Sequence, residues 1–183
     1  MKRSKGMQLG AMLLIFLVSA SVPVSAYYYS GYRWLGASAS YNWDSSTPSD
    51  WHSSVNNAAN TWSNAGSQFR FSESSSSLNK IYKGSLGSSG PIAQTATNSL
   101  LSKLIYASIT FNSDYTWSTS GQSGSFDVQN TATHEFGHWL QLGDLSCGYD
   151  SEKTMYAYES TGETKKRSLE TDDIDGIKYI YGV

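Results

Sequence analysis

Two of the three histidines in this chain stand four residues apart in the run Thr133-His134-Glu135-Phe136-Gly137-His138, and no other feature narrows the fold as much. Residues four apart share one face of an α-helix, so His134 and His138 can turn toward a single ion only if this stretch is helical. Glu135, one position further round, would then reach a water bound to that ion. Two imidazoles and a carboxylate so arranged are the ligand pair and base of a catalytic zinc. Zinc lowers the pKa of its water from roughly 15.7 to about 7, and a nearby carboxylate can take the proton as the oxygen attacks a carbonyl. Hydrolysis of an acyl bond, most simply a peptide, is the chemistry implied. Histidines at this spacing are also compatible with an exposed polar stripe.

A catalytic zinc takes three protein ligands. The remaining histidine, His52, lies far upstream in what reads as a surface helix, where it is most simply a solvated or capping side chain. The third ligand is therefore expected to be of another type. Asp144 stands six residues past His138 and directly after Gly143, where a chain leaving the helix can fold back toward the metal. Cys147, three residues further on, is its rival, because thiolate is a good zinc ligand.

At these residues the chain resembles the metzincin metallopeptidases, whose long motif places a glycine three and a histidine or aspartate six residues beyond the second ligand. The resemblance implies one catalytic Zn2+ held by His134, His138 and Asp144, with Glu135 as general base. Gln141 departs from the pattern: it occupies the glycine position, and Gly143 comes two residues late. The segment Thr154-Met155-Tyr156-Ala157-Tyr158 resembles the family's Met-turn, implying that Met155 lies beneath the metal site. By the same resemblance Tyr158 helps wall the substrate pocket beside the scissile bond, and Tyr156 is a second pocket candidate. Either could instead be a packed surface aromatic in a chain with 13 tyrosines.

The closing stretch from Leu169 to Gly182 is similar to the last helix of the matrixin branch. Its own pattern agrees: Thr171 can cap, Asp172 and Asp173 sit in the positive first turn, and Ile174, Ile177, Ile180 and Tyr181 form one apolar face. The fold implied is α+β, a zincin/metzincin catalytic domain with a twisted mixed β-sheet, about three α-helices and an active-site cleft. The function implied is that of a zinc-dependent endopeptidase. Mammalian-type matrixins also carry structural zinc and calcium. Between Glu73 and Asp114 there is no carboxylate and no histidine, so Ca2+ has no support here and such sites are expected to be missing or rebuilt from backbone oxygens. Two alternatives stay open. One is a non-catalytic secreted binding or adhesion protein on the same fold, which would have no use for Glu135. The other is a zincin of another clan, with its third ligand, Glu170 or Asp172, in the C-terminal helix.

Lys2, Arg3 and Lys5 precede the apolar run Ala11 to Val18, and Val24-Ser25-Ala26 ends in a small-x-small pattern. Residues 1–26 are thus expected to be a signal peptide cleaved after Ala26, its apolar stretch being shorter than the ~20 residues that span a bilayer. Residues 27–183 suffice for a single catalytic domain with a real core. Losing those three basic residues takes the formal charge from −2 to −5, and the absence of a basic patch argues against nucleic acid as partner. The expectation is a secreted, extracellular monomer acting on protein or peptide substrate, with no membrane attachment after signal cleavage. The lone Cys147 cannot form an internal disulfide, so it is free, pairs with another molecule or touches metal. Matrixins are usually kept silent by a cysteine in a pro-segment. The few residues between Ala26 and the first expected strand contain none, so that device is not expected.

Elsewhere, Ala37 to Trp43 alternates as a strand, and Pro48-Ser49-Asp50 opens a helix whose Trp51, Val55, Ala58, Ala59 and Trp62 recur at helical spacing up to Gly66. Phe69-Arg70-Phe71 and Ile81-Tyr82 suggest short strands around the polar loop Ser74 to Ser77. Lys103 to Asn112 is the clearest strand, with Leu104, Tyr106, Ser108 and Thr110 opposed to Ile105, Ala107, Ile109 and Phe111. By the resemblance that strand would edge the cleft and bind extended substrate by strand addition. Ser118 to Ser125 reads as a flexible loop before a zinc helix running from about Phe126 to Leu142. The basic run Lys165-Lys166-Arg167 reads as a solvated loop, a processing site or a substrate contact.

Overall fold

Trp51, Val55, Ala58, Ala59 and Trp62 are all buried, so the helical stripe legible in the sequence is the packed face of a real helix. The computed structural model describes residues 27–183, and the signal-peptide reading of 1–26 lies outside them. In chain order the elements are β1 (Tyr28–Tyr29), β2 (Arg33–Trp34), β3 (Ser38–Trp43), α1 (His52–Ser63), β4 (Arg70–Glu73), β5 (Lys80–Gly84), β6 (Ala93–Leu100) and β7 (Lys103–Asn112). There follow β8 (Trp117–Ser118), β9 (Phe126–Asp127), α2 (Val128–Trp139), β10 (Leu142–Gly143) and α3 (Thr171–Tyr181). A mixed sheet with three α-helices is the α+β architecture expected.

The main sheet has six strands, running β4, β3, β5 and β7 in parallel. Strand β2 also lies parallel to β7, at Lys103 and Leu104. Strand β6 runs antiparallel along the other side of β7, from Ala93 opposite Phe111 to Leu100 opposite Lys103. β7 is therefore an interior strand, which corrects the expectation that Lys103 to Asn112 edges the cleft. The edge is β6, whose sequence AQTATNSL is too polar to announce itself.

Alternation in β7 also breaks. Its pairing slips between Asn98 and Ser99, leaving Ile105 as an extra residue opposite the β6 ladder. Leu104 is consequently buried and Ile105 exposed, while Ala107, Ile109 and Phe111 beyond the bulge point into the core. Between the sheet and α1 and α2 lies an aromatic core in which Phe136 packs on Tyr41, Phe71 and Trp139 with ring centroids 4.7–5.4 Å apart. The Trp62 indole N–H donates to the Thr133 carbonyl at 2.7 Å and fixes α1 against α2. No helix among the described residues is long and apolar enough to cross a membrane.

Candidate metal centre

Asp127 caps α2: its carboxylate accepts the Asn130 N–H at 2.9 Å, satisfying an amide that the first turn leaves without a partner. The same carboxylate accepts the Gly121 N–H and is gripped by Arg167 through Nε at 2.8 Å and Nη2 at 2.6 Å. The run Lys165-Lys166-Arg167 is thus not a solvated loop. It docks on α2, with Arg167 on the cap and Lys166 only 1% exposed.

The helix ends at Trp139, three residues before the expected Leu142. Gln141 stands at φ +67°, the left-handed region that usually favours glycine, and turns the chain back. Its amide offsets part of that cost, accepting from Ser30 Oγ at 2.6 Å and donating to the His138 carbonyl at 3.2 Å. Leu142–Gly143 then pairs antiparallel with Tyr28–Tyr29. Two residues later Leu145 exchanges backbone hydrogen bonds with Met155 and Ala157, each at 2.8 Å. Asp144 is pinned between these two short pairings.

The result is a convergence of His134, His138 and Asp144. His134 Nε2 and His138 Nε2 are 3.1 Å apart, and Asp144 Oδ1 lies 3.2 Å from the first and 3.5 Å from the second. Each Nδ1 is 2.8 Å from a carbonyl oxygen, Thr154 for His134 and Leu142 for His138. A carbonyl only accepts, so both Nδ1 atoms carry the proton and both Nε2 lone pairs face inward. Three acceptors meet with no donor among them, an arrangement that could hold a cation. Donors 2.0–2.2 Å from a tetrahedral zinc stand roughly 3.3–3.6 Å from one another, so the residues fit that ion.

Electrostatics agree. His134 and His138 hold the Asp144 carboxyl well below the usual carboxylate range. Burial pulls His138 down, but the Asp144 and Glu135 carboxylates beside it outweigh that pull, and its pKa stands above the ordinary value: the pocket favours positive charge. Asp144 remains 54% exposed at its side chain, so the face is open to solvent rather than closed.

Glu135 is buried, and its carboxylate accepts the Thr95 Oγ1 hydrogen bond at 2.6 Å. Thr95, on the edge strand β6, could not have been singled out from sequence, where it is one of several threonines in a polar stretch. Met155 is fully buried against Gly137, the residue before His138: a Cβ on that glycine would collide with Met155 Sδ and stand 3.1 Å from Trp62 Cζ2. Close approach therefore demands glycine in mid-helix. Tyr158 is exposed and lines the cavity beside the centre. Tyr156 does not line that cavity; its ring is 5.4 Å from that of Tyr158 and its carbonyl accepts from Lys166.

Cys147 is exposed and outside the cluster. Glu170 and Asp172 are engaged elsewhere. Glu170, not Thr171, is the N-cap of α3 in a reciprocal capping box with Asp173, and Asp172 pairs with Lys153 at 3.2 Å. Asp173 Oδ2 also accepts the Thr154 N–H at 3.1 Å, so α3 supports the loop whose carbonyl orients His134. His52 stacks on Trp43 at 3.9 Å, far from the centre in role and contacts.

One cavity of about 610 Å³ contains the centre and extends past Glu135 to Thr131, Glu159 and Lys166. Thr131 Oγ1 donates to Glu159 Oε1 at 2.7 Å. Burial pushes the Glu159 carboxyl up to about 7, against the Thr131 hydroxyl and the Lys166 charge that favour its ionised form. Burial likewise lowers Lys166.

The family profile described as Matrixin matches residues 34–182. The chain is 38% identical over 78 residues to Metalloendoproteinase 2-MMP of Arabidopsis thaliana, covering 39% of this chain and 20% of that protein. It is 38% identical over 79 residues to Metalloendoproteinase 1 of Glycine max, covering 40% and 25%. Against neutrophil collagenase of Homo sapiens it is 40% identical over 73 residues, covering 40% and 15%. The matched part therefore spans a quarter or less of each relative.

Proposed function

The chain belongs to the matrixin family of zinc metalloendopeptidases, and on that premise we propose a secreted endopeptidase in which His134, His138 and Asp144 hold zinc and Glu135 is the general base. The observation that carries the reading is the meeting of two Nε2 lone pairs and a carboxylate oxygen within 3.5 Å. Zinc bound there supplies a Lewis acid that polarises a carbonyl and acidifies water.

The remaining steps belong to the chain. Among the described residues strand β6 has an unpaired edge beside the cavity, so an extended peptide can add to it by backbone hydrogen bonds. Glu135, held by Thr95, takes a proton from the attacking water and returns it to the leaving amine. Thr154 and Leu142 carbonyls keep both imidazoles in the tautomer that presents Nε2. Tyr158 covers one side of the substrate. Export is inferred from the basic and apolar residues before Ala26, and the exported product is expected to begin at Tyr27 on N-terminal sequencing.

The decisive comparison uses the mature protein. Glu135→Gln is expected to abolish casein hydrolysis with zinc retained. Asp144→Ala is expected to lose zinc, whereas Glu170→Ala and Asp172→Ala keep it. Full hydrolysis by Glu135→Gln, or zinc lost from the helix variants and kept by Asp144→Ala, would overturn the assignment.

A further inference from the structure

The inner end of the cavity is unusual in its chemistry. It lies one helical turn, about 5 Å, beyond Glu135 at Thr131. Apolar side chains could have closed it, but three polar ones do. Lys166 is 1% exposed, and its ammonium donates to the Tyr156 carbonyl. That uses one of three donors. Among the described residues no carboxylate lies within 4.0 Å of the Lys166 ammonium, although Glu159 is one of the groups whose charge acts on it. The Glu159 carboxyl meets Thr131 through Oε1. A buried ammonium with spare donors is costly to leave unmet.

We propose that this inner end is a selectivity subsite in which Lys166 and Glu159 together choose a substrate residue bearing a side-chain carboxamide, glutamine above all. The inference rests on the peptidase reading and concerns what that site accepts. A carboxamide oxygen accepts from Lys166 while its NH₂ donates to Glu159, so both wall groups are satisfied at once. An aliphatic side chain of equal length leaves the spare Lys166 donors and the second Glu159 oxygen without a partner from the substrate. A carboxylate meets Lys166 but is repelled by Glu159 when that group is ionised, and an ammonium meets Glu159 but faces Lys166. Glutamine's three-bond reach suits the one-turn depth better than asparagine's. Hydrogen-bonding sites reject partners lacking the matching groups far more strongly than apolar pockets reject a missing methylene.

The test uses the mature, zinc-loaded protein and a peptide series with Gln, Met, Glu or Lys at each of the two residues flanking the scissile bond. Cleavage rates are measured on the wild type, and equilibrium binding by calorimetry on Glu135→Gln, so that one readout does not depend on turnover. At one flanking position Gln is expected to exceed Met, Glu and Lys by at least about 10-fold in kcat/KM and in affinity, the worth of a charge-assisted hydrogen bond. Lys166→Met is expected to reverse the order of Gln and Met. Should that variant not fold, Glu159→Leu is expected to reduce the Gln advantage by about the same factor. Equal binding of Gln and Met peptides, or a preference for Met, Glu or Lys, overturns the subsite. If no peptide is cleaved, the peptidase reading fails while the binding order still decides this one.

Discussion

Replacing Asp173 by alanine removes a side chain that touches neither metal nor substrate, yet it should weaken the metal centre. Asp173 is 1% exposed, and Oδ2 accepts from the Thr154 N–H at 3.1 Å and the Glu170 N–H at 2.9 Å. Thr154 is fully buried, so its amide would lose its partner without gaining water, at a cost of about 1–3 kcal/mol. Loss of the reciprocal cap on α3 adds about 1 kcal/mol. Together these predict a destabilisation of about 3 kcal/mol by urea unfolding. Thr154 also holds His134 Nδ1 through its carbonyl at 2.8 Å, and loss of such a support weakens metal binding by about 10–100-fold. Competition with a chromophoric chelator would measure this, alongside Asp173→Asn, which keeps one acceptor oxygen and should fall between. A loss below 1 kcal/mol with unchanged zinc affinity would refute the idea that α3 steadies His134 through the Met155 loop.

Three further outcomes are expected. Thr95→Val keeps the shape of β6 but frees the Glu135 carboxylate, so kcat should drop about 10-fold or more with KM and zinc content nearly unchanged, and a normal kcat would remove Thr95 from the mechanism. Asp127→Ala deletes the α2 cap and strands Arg167, which should lower stability by about 3 kcal/mol, with Asp127→Asn milder because it still caps. Glu159, held up to about 7 chiefly by burial, favours its proton in the folded state. Its contribution to stability is therefore complete below the ordinary glutamate value of about 4.3 and lost as pH rises through about 7, so the stability of wild type relative to Glu159→Gln should fall across that window. A difference flat in pH would contradict the burial argument.

Much of this molecule is legible in its residues because the signals are local. The α1 stripe and strand β7 follow from periodicity, and the spacing of His134, Glu135 and His138 already demands a helix. The misreadings have one cause in common: a distant partner changes what a local pattern means. Leu140 and Leu142 prolong the apolar rhythm of α2, and nothing in Gln141 announces a left-handed turn, because Ser30 and the His138 carbonyl supply its compensation. The polar letters of β6 hide an edge strand that β7 recruits. A bulge at Ile105 inverts the alternation that single-strand reasoning extends unbroken. Lys166 sits in a basic run that reads as hydrated until α2 and the Tyr156 carbonyl enclose it. The cap of α3 falls one residue early, on Glu170, because Asp173 reciprocates.

The pairing of Tyr28 and Tyr29 with Leu142 and Gly143 has a practical side. A purification tag or a ragged cut ahead of Tyr27 in a recombinant product joins the chain one residue before the two-residue ribbon that adjoins Asp144. Batches differing only at that end should differ in how firmly they retain metal, so heterogeneous trimming would pass for partial inactivation. A product starting cleanly at Tyr27 is the preparation in which metal content can be compared between variants.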